Sequence, residues 1–188
     1  MFIQNGKRFN PYAPFTDPQG VVYSHFPMER AAEFGVEEIP DPVKADDNWY
    51  FNTEEDTAPY VVSTLKPIES IKATKLADLA ALRYSKMVGG TTLGGAPILT
   101  DDYSQAKITQ AWAMAQINPA YTTDWKSTID GQVFWSTLTA AQIAAIGTAS
   151  GSHVSGCFAH EKVHYEAISA LTDSQAVIDY DLTTGWPV

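Results

Sequence analysis

Proline placement constrains this protein more than any other feature of its sequence. Eight of the eleven prolines lie at or before Pro67, leaving Pro97, Pro119 and Pro187 beyond it. A proline inside a helix removes a hydrogen bond and clashes with the preceding turn, so the first third of the sequence cannot hold a long helix whereas the rest can. The sequence therefore predicts an α+β chain. A small β-rich N-terminal module over residues 1–66 precedes a mainly helical domain with two short β-hairpins over residues 67–188.

In the first segment Asn5-Gly6 is a two-residue hairpin signal, and Gly20 to Tyr23 and Tyr60 to Val62 read as strands. Met28 to Phe34 has room for two helical turns before Gly35. Beyond Pro67, Leu76, Leu79 and Leu82 line one face of a helix predicted over Ser70 to Val88, stopped by Gly89-Gly90. Gly94-Gly95 supplies the positive φ angles of a tight hairpin between Thr91–Leu93 and Ala96–Leu99. Thr100-Asp101-Asp102 offers capping oxygens to a second helix, Tyr103 to Gln116, on which Ile108, Trp112 and Ala115 share a stripe, and Asn118-Pro119 ends it. Asp130-Gly131 marks a second hairpin between Trp125–Ile129 and Gln132–Trp135.

A last long helix starts at Thr137-Leu138-Thr139 and runs to about Leu171. Gly147, Gly151 and Gly156 lie within it at about 1 kcal/mol each against alanine, which calls for close packing or a kink. Val154, Phe158, Tyr165 and Ile168 share one stripe, so Phe158 and Ile168 are expected in the core, with Cys157 buried beside them.

Charge narrows the partners. The formal charge is −10 at pH 7, the sign carried by nucleic acid and by anionic membranes, so neither is expected to bind. No window approaches the roughly 18 apolar residues of a membrane span, and MFIQNGKRFNPYAPF lacks an apolar stretch of signal-peptide length. Cys157 is the single cysteine, which excludes an intrachain disulfide and suits a reducing cytoplasm.

The sharpest chemical signal is His160-Glu161-Lys162-Val163-His164, the H-E-x-x-H spacing that sets two imidazoles on one helical face beside a glutamate able to activate water. A catalytic zinc of this kind needs a third protein ligand, yet no Glu or His follows Glu166 and only Asp173, Asp179 and Asp181 remain. His153, Cys157, His160 and His164 extend the same stripe, but four ligands over three turns span roughly 16 Å, too far for one tetrahedral ion. A semi-polar packing seam with Cys157 as a small buried residue accounts for the stripe without metal. Serine nucleophile elbows, phosphate-binding glycine loops and calcium-loop spacings are missing, and the acidic runs Glu37-Glu38, Asp46-Asp47 and Glu54-Glu55-Asp56 read as solvated turns. The residues therefore predict no catalytic, cofactor or metal site.

From about Leu79 to Leu171 the sequence resembles a domain of unknown function found in tail proteins of tailed bacteriophages and prophages, often beside tail-fibre genes. The resemblance lies in Arg83-Tyr84, Gly89-Gly90, Thr100-Asp101-Asp102 with Ser104-Gln105, Asp130-Gly131, Leu138 to Ile143, His153-Val154, Cys157-Phe158 and Glu161. His160 and His164 depart from that pattern. The resemblance implies a non-enzymatic structural part of the tail, near baseplate and fibre, made in the bacterial host cytoplasm and carried in the virion. Its partners would be other tail proteins, with self-association also open; the alternative is a fibre-assembly chaperone that leaves, and a zinc hydrolase is a distant third. Short aromatic N-terminal modules ahead of such a domain look like attachment pieces, which makes Phe2, Ile3, Phe9, Tyr12 and Phe15 candidate partner-binding residues, unless they form the module's own core.

Overall fold

A computed structural model describes residues 1–129 and 132–187. The protein is α+β: small antiparallel sheets come first, followed by four helices interrupted by two hairpins. The backbone divides into two compact units, Met1–Ile71 and Lys72–Val188, with the division inside the first turn of a helix.

In the first unit β1 (Phe2–Gln4) is the centre of a three-stranded antiparallel sheet, flanked by β2 (Lys7–Arg8) and β5 (Val36–Glu38). Asn5 and Gly6 take φ of 52° and 75°, the left-handed pair that a two-residue turn needs, and Ile3 then falls opposite Arg8. Two further hairpins pair β3 (Phe15–Thr16) with β4 (Val22–Tyr23) and β6 (Tyr50–Glu54) with β7 (Val61–Leu65). The predicted turns over Met28–Phe34 form a 3-10 helix, closed by Gly35 at φ 63°.

Aromatic rings make the core of this unit. Phe26 is fully buried, with Phe9 and Phe15 each 4.9 Å away and Phe34 at 5.8 Å, all near-perpendicular. Edge-to-face contact brings the positive rim of one ring against the negative face of the next, worth about 0.5–1.5 kcal/mol per pair beyond area burial. Asp17 braces the β3–β4 turn: it accepts from the amides of Gln19 and Val21 at 3.0 and 2.9 Å, and Arg30 lies 3.4 Å away. Burial pushes its carboxyl up, but the amides of Val21 and Gln19 and the Arg30 guanidinium outweigh that and hold it below the usual aspartate range. A carboxyl with a depressed folded pKa contributes stability above its unfolded value, and loses it as pH falls through the folded one. The first unit should therefore weaken below about pH 4. Asp17→Asn should flatten that acid limb in melting curves taken across pH, and an unchanged limb would show that Asp17 is not its source.

The second unit begins on α1 (Ile68–Val88), two residues earlier than predicted. Leu79 is buried and Leu76 and Leu82 are half-buried. Hairpin β8 (Thr91–Leu93) and β9 (Ala96–Ile98) turns through Gly94 and Gly95 at φ 59° and 83°. Fully buried Thr100 then donates to the Met87 carbonyl and accepts from the Gly90 amide at 2.6 and 2.9 Å, tying the end of α1 to the entry of the next helix. That helix, α2 (Asp102–Ile117), is capped by Asp101, which accepts from the Ser104 amide at 3.0 Å. Its buried stripe is Ile108, Ala111 and Ala115; Trp112, predicted to line it, is 41% exposed. Trp112 packs instead against Gly147 of the helix that follows, where an added Cβ would meet its Cδ1 at 2.5 Å.

Strands β10 (Thr122–Ile129) and β11 (Gln132–Thr139) form a two-stranded ribbon, longer than predicted. Its predicted Asp130-Gly131 turn lies outside the described residues. Thr139 closes a capping box with Gln142 at the start of α3 (Ala140–Ala170), and α4 (Ser174–Asp179) is capped by Asp173. Among the described residues no helix is long and apolar enough to cross a membrane.

The stripe expected to bury Phe158 is corrected. Ile168 is fully buried as predicted, but Phe158 is 49% and Tyr165 53% exposed, and Val154 is half-buried. The buried line on α3 is Ser150, His153, Cys157, His164 and Ile168. Neighbouring helical residues point about 100° apart, so Cys157 and Phe158 cannot both occupy a narrow seam, and the smaller side chain takes it. Phe158 is instead covered on one side by the Arg83 guanidinium, 4.6 Å from the ring centre.

Candidate interaction surface

The H-E-x-x-H residues sit on the middle of α3, where the segment that follows α4 returns across them. His164 is buried, its Nε2 donates to the Thr184 carbonyl at 3.1 Å, and the Tyr180 hydroxyl lies 2.9 Å from Nδ1. A carbonyl can only accept, so Nε2 carries a proton, and in the neutral ring Tyr180 then donates to Nδ1. Trp186 stacks on the same imidazole at 5.6 Å, and its indole N–H donates to the Leu182 carbonyl at 2.7 Å. His160 is packed edge-on to His164, with Gly185 so close that a Cβ there would strike its Nε2. Gly156 likewise admits Pro187, whose Cγ lies 2.9 Å from where a Cβ would stand. Gly147 and Gly156 are thus close-approach positions, as predicted for this helix, while Gly151 has open space.

Upstream on the same face, His153 Nε2 donates to the Lys86 carbonyl at 3.0 Å, and Cys157 Sγ is 3.9 Å from that nitrogen. Burial pushes the Cys157 thiol up, against a weaker downward pull from Arg83 and Lys86, which makes it a poor nucleophile. Glu161 pairs with Arg83, Oε2 to Nε 3.4 Å. The semi-polar packing seam expected of His153, Cys157, His160 and His164 is what forms. Among the described residues no three His, Cys, Asp or Glu side chains gather as a metal site would require.

The five N-terminal candidates separate into classes. Phe9 and Phe15 belong to the aromatic core around Phe26, and Phe2 and Ile3 are half-buried on β1. Tyr12 is 81% exposed. Phe2, Phe9 and Tyr12 also line an open groove of about 720 Å³ with Arg8, Lys44 and Glu54 on its walls. Arg8 is fixed there by Glu54 and by the carbonyls of Glu55 and Tyr60 at 2.6–2.9 Å. Exposed apolar side chains that residue type alone does not single out include Val21, Val22, Val43 and Phe51 in this unit, and Val133, Phe134 and Trp135 on the ribbon. Sequence pattern marks the last three as strand residues and says nothing of what they face.

The C-terminal segment thus closes over the polar seam of α3, and exposed apolar side chains occur on the hairpins and also on helices, where Ile117 is 78% and Val163 58% exposed. The family model for a domain of unknown function (DUF4376) matches residues 70–183, well over half the chain, and the protein belongs to that family. The match extends beyond the segment from about 79 to 171 that carried the resemblance. No curated protein and no solved structure matches the sequence.

Proposed function

We propose that this protein is a structural component of a bacteriophage tail that works by protein–protein contact, linking or attaching fibres in the baseplate region. The observation that carries the contact mechanism is the ribbon, on which Val133, Phe134 and Trp135 stay 46–69% exposed, Val133 and Trp135 on one face and Phe134 on the other. Large apolar side chains grouped on an exposed element mark interaction sites. Tyr12 and the open groove beside it give the N-terminal unit a second contact surface, consistent with an attachment role for that module. The occupied ring nitrogens of His164 weigh against hydrolase chemistry at the H-E-x-x-H sequence. The tail setting is supported by the resemblance of residues about 79–171 to phage tail proteins, and the charge of −10 favours protein over nucleic acid as partner.

Purified particles of a phage encoding the protein, separated from unassembled material and digested for mass spectrometry, test the reading. The protein should be retained in stoichiometric amount with the tail. Capture of tail-fibre protein from infected cells without retention in particles would transfer the assignment to a fibre-assembly chaperone. Absence from both would remove the tail assignment.

A further inference from the structure

We infer that the outer edge of β10 is a self-complementary docking edge, and that two copies of this protein pair there as antiparallel strands to make one four-stranded sheet. Among the described residues no other strand hydrogen-bonds to the ribbon, and no backbone partner is found for β10 outside it. The ladder phase follows from its register. Ile129 and Gln132 are opposed with only two residues between them, so they must exchange both hydrogen bonds with each other; the other pair type would need bonds inside the two-residue connection. Pairs alternate from there, which makes Trp125↔Ser136 hydrogen-bonded and Asp124↔Thr137 and Lys126↔Trp135 not. The 2.8 Å bond from Thr137 Oγ1 to Asp124 Oδ1 fits the closer side chains of that second kind of pair. Asp124 and Lys126 therefore turn their backbone N–H and C=O groups outward.

Charge selects both the edge and the occupant. Asp124 and Lys126 are the only charged residues on the two strands, both are exposed, and both lie on β10, whereas β11 has none. Among the described residues neither is in an ion pair. A two-fold axis through Trp125 places Asp124 of one copy opposite Lys126 of the other, twice, and the same register matches outward-facing backbone groups with one another. Opposite charges set directly across an antiparallel pair stabilise it and like charges destabilise it. The strands themselves sum to zero charge, so the −10 of the whole protein resides elsewhere. The edge is eight residues long and holds no proline that would interrupt a further ladder. Such pairing would hold whether or not the protein serves in a phage tail.

Sedimentation equilibrium of the full-length protein over a concentration series should show a monomer–dimer equilibrium. Asp124→Lys and Lys126→Asp should each weaken it by about tenfold or more, because each converts two attractive pairs into repulsive ones. The double exchange, Asp124→Lys with Lys126→Asp, should restore the dimer. An equimolar mixture of the two single variants should also dimerise, since the all-lysine and all-aspartate edges then face each other. That recovery separates a charge effect from a folding defect. A parent protein that stays monomeric throughout, single variants that associate as strongly as the parent, or a mixture that fails to recover would each overturn the proposal. Dimerisation unaffected by these changes would place the contact on another surface.

Discussion

Phe26→Ala should unfold the N-terminal unit. Phe26 is fully buried and touches three other phenylalanine rings, from the loop after β2, from β3 and from the 3-10 helix, so truncating it removes the one residue common to all three contacts. Large-to-small changes at a buried phenylalanine cost about 3–5 kcal/mol. A single core in roughly 70 residues rarely supplies more than about that amount, so the loss consumes most of the unit's stability. Thermal melting, together with hydrogen exchange at the β1 and β5 amides, should show early exposure of that sheet. Tyr12→Ala, at an 81% exposed position, should stay within about 0.5 kcal/mol of the parent. Coincident melting of Phe26→Ala and the parent would mean that the aromatic cluster contributes little.

The contrast between Phe26 and Tyr12 shows what could be read from the sequence. Element type and position were accessible because they depend on local chemistry. Asn5-Gly6 and Gly94-Gly95 need left-handed backbone, Asp101 and Thr139 supply cap oxygens, and the prolines keep helices out of the first unit. The choice of which aromatic residue turns inward was not accessible. Phe2, Phe9, Tyr12 and Phe15 are all aromatic, and the long-range meeting with Phe26 and Phe34 is what places Phe9 and Phe15 in the core. The misplaced Phe158 has the same origin. Its stripe and the Cys157 stripe are both periodic, and the choice depends on how closely neighbouring segments approach α3. The partners of His164 lie 16 and 20 residues further on, at positions with no motif of their own.

His164→Ala should release the segment from Tyr180 to Pro187 from α3. The imidazole holds that segment at three points: the Tyr180 hydroxyl, the Thr184 carbonyl and the face of Trp186. Each lost hydrogen bond costs about 0.5–1.5 kcal/mol and the ring stack about as much, giving roughly 1.5–4.5 kcal/mol in all. Tyr180 and Thr184 can recover water because neither is buried, which places the value toward the lower end. The loss should be local. α3 keeps Ile143, Cys157 and Ile168 in its seam, so the helical circular dichroism should persist while the C-terminal segment becomes protease-sensitive and the Trp186 emission moves to the red. Gly185→Ala should give the same result from the opposite side, since its φ of 81° and its contact with His160 leave no room for a methyl group. Zinc distinguishes this clasp from a metal centre that shares its residues. A zinc-bound His164 would make the parent's melting temperature sensitive to chelators and leave one equivalent of metal after dialysis. With both ring nitrogens engaged within the protein, the expected results are an unchanged melting temperature and no retained zinc. Retained zinc that disappears in His164→Ala would reinstate the hydrolase reading and make the C-terminal segment a cover over its site.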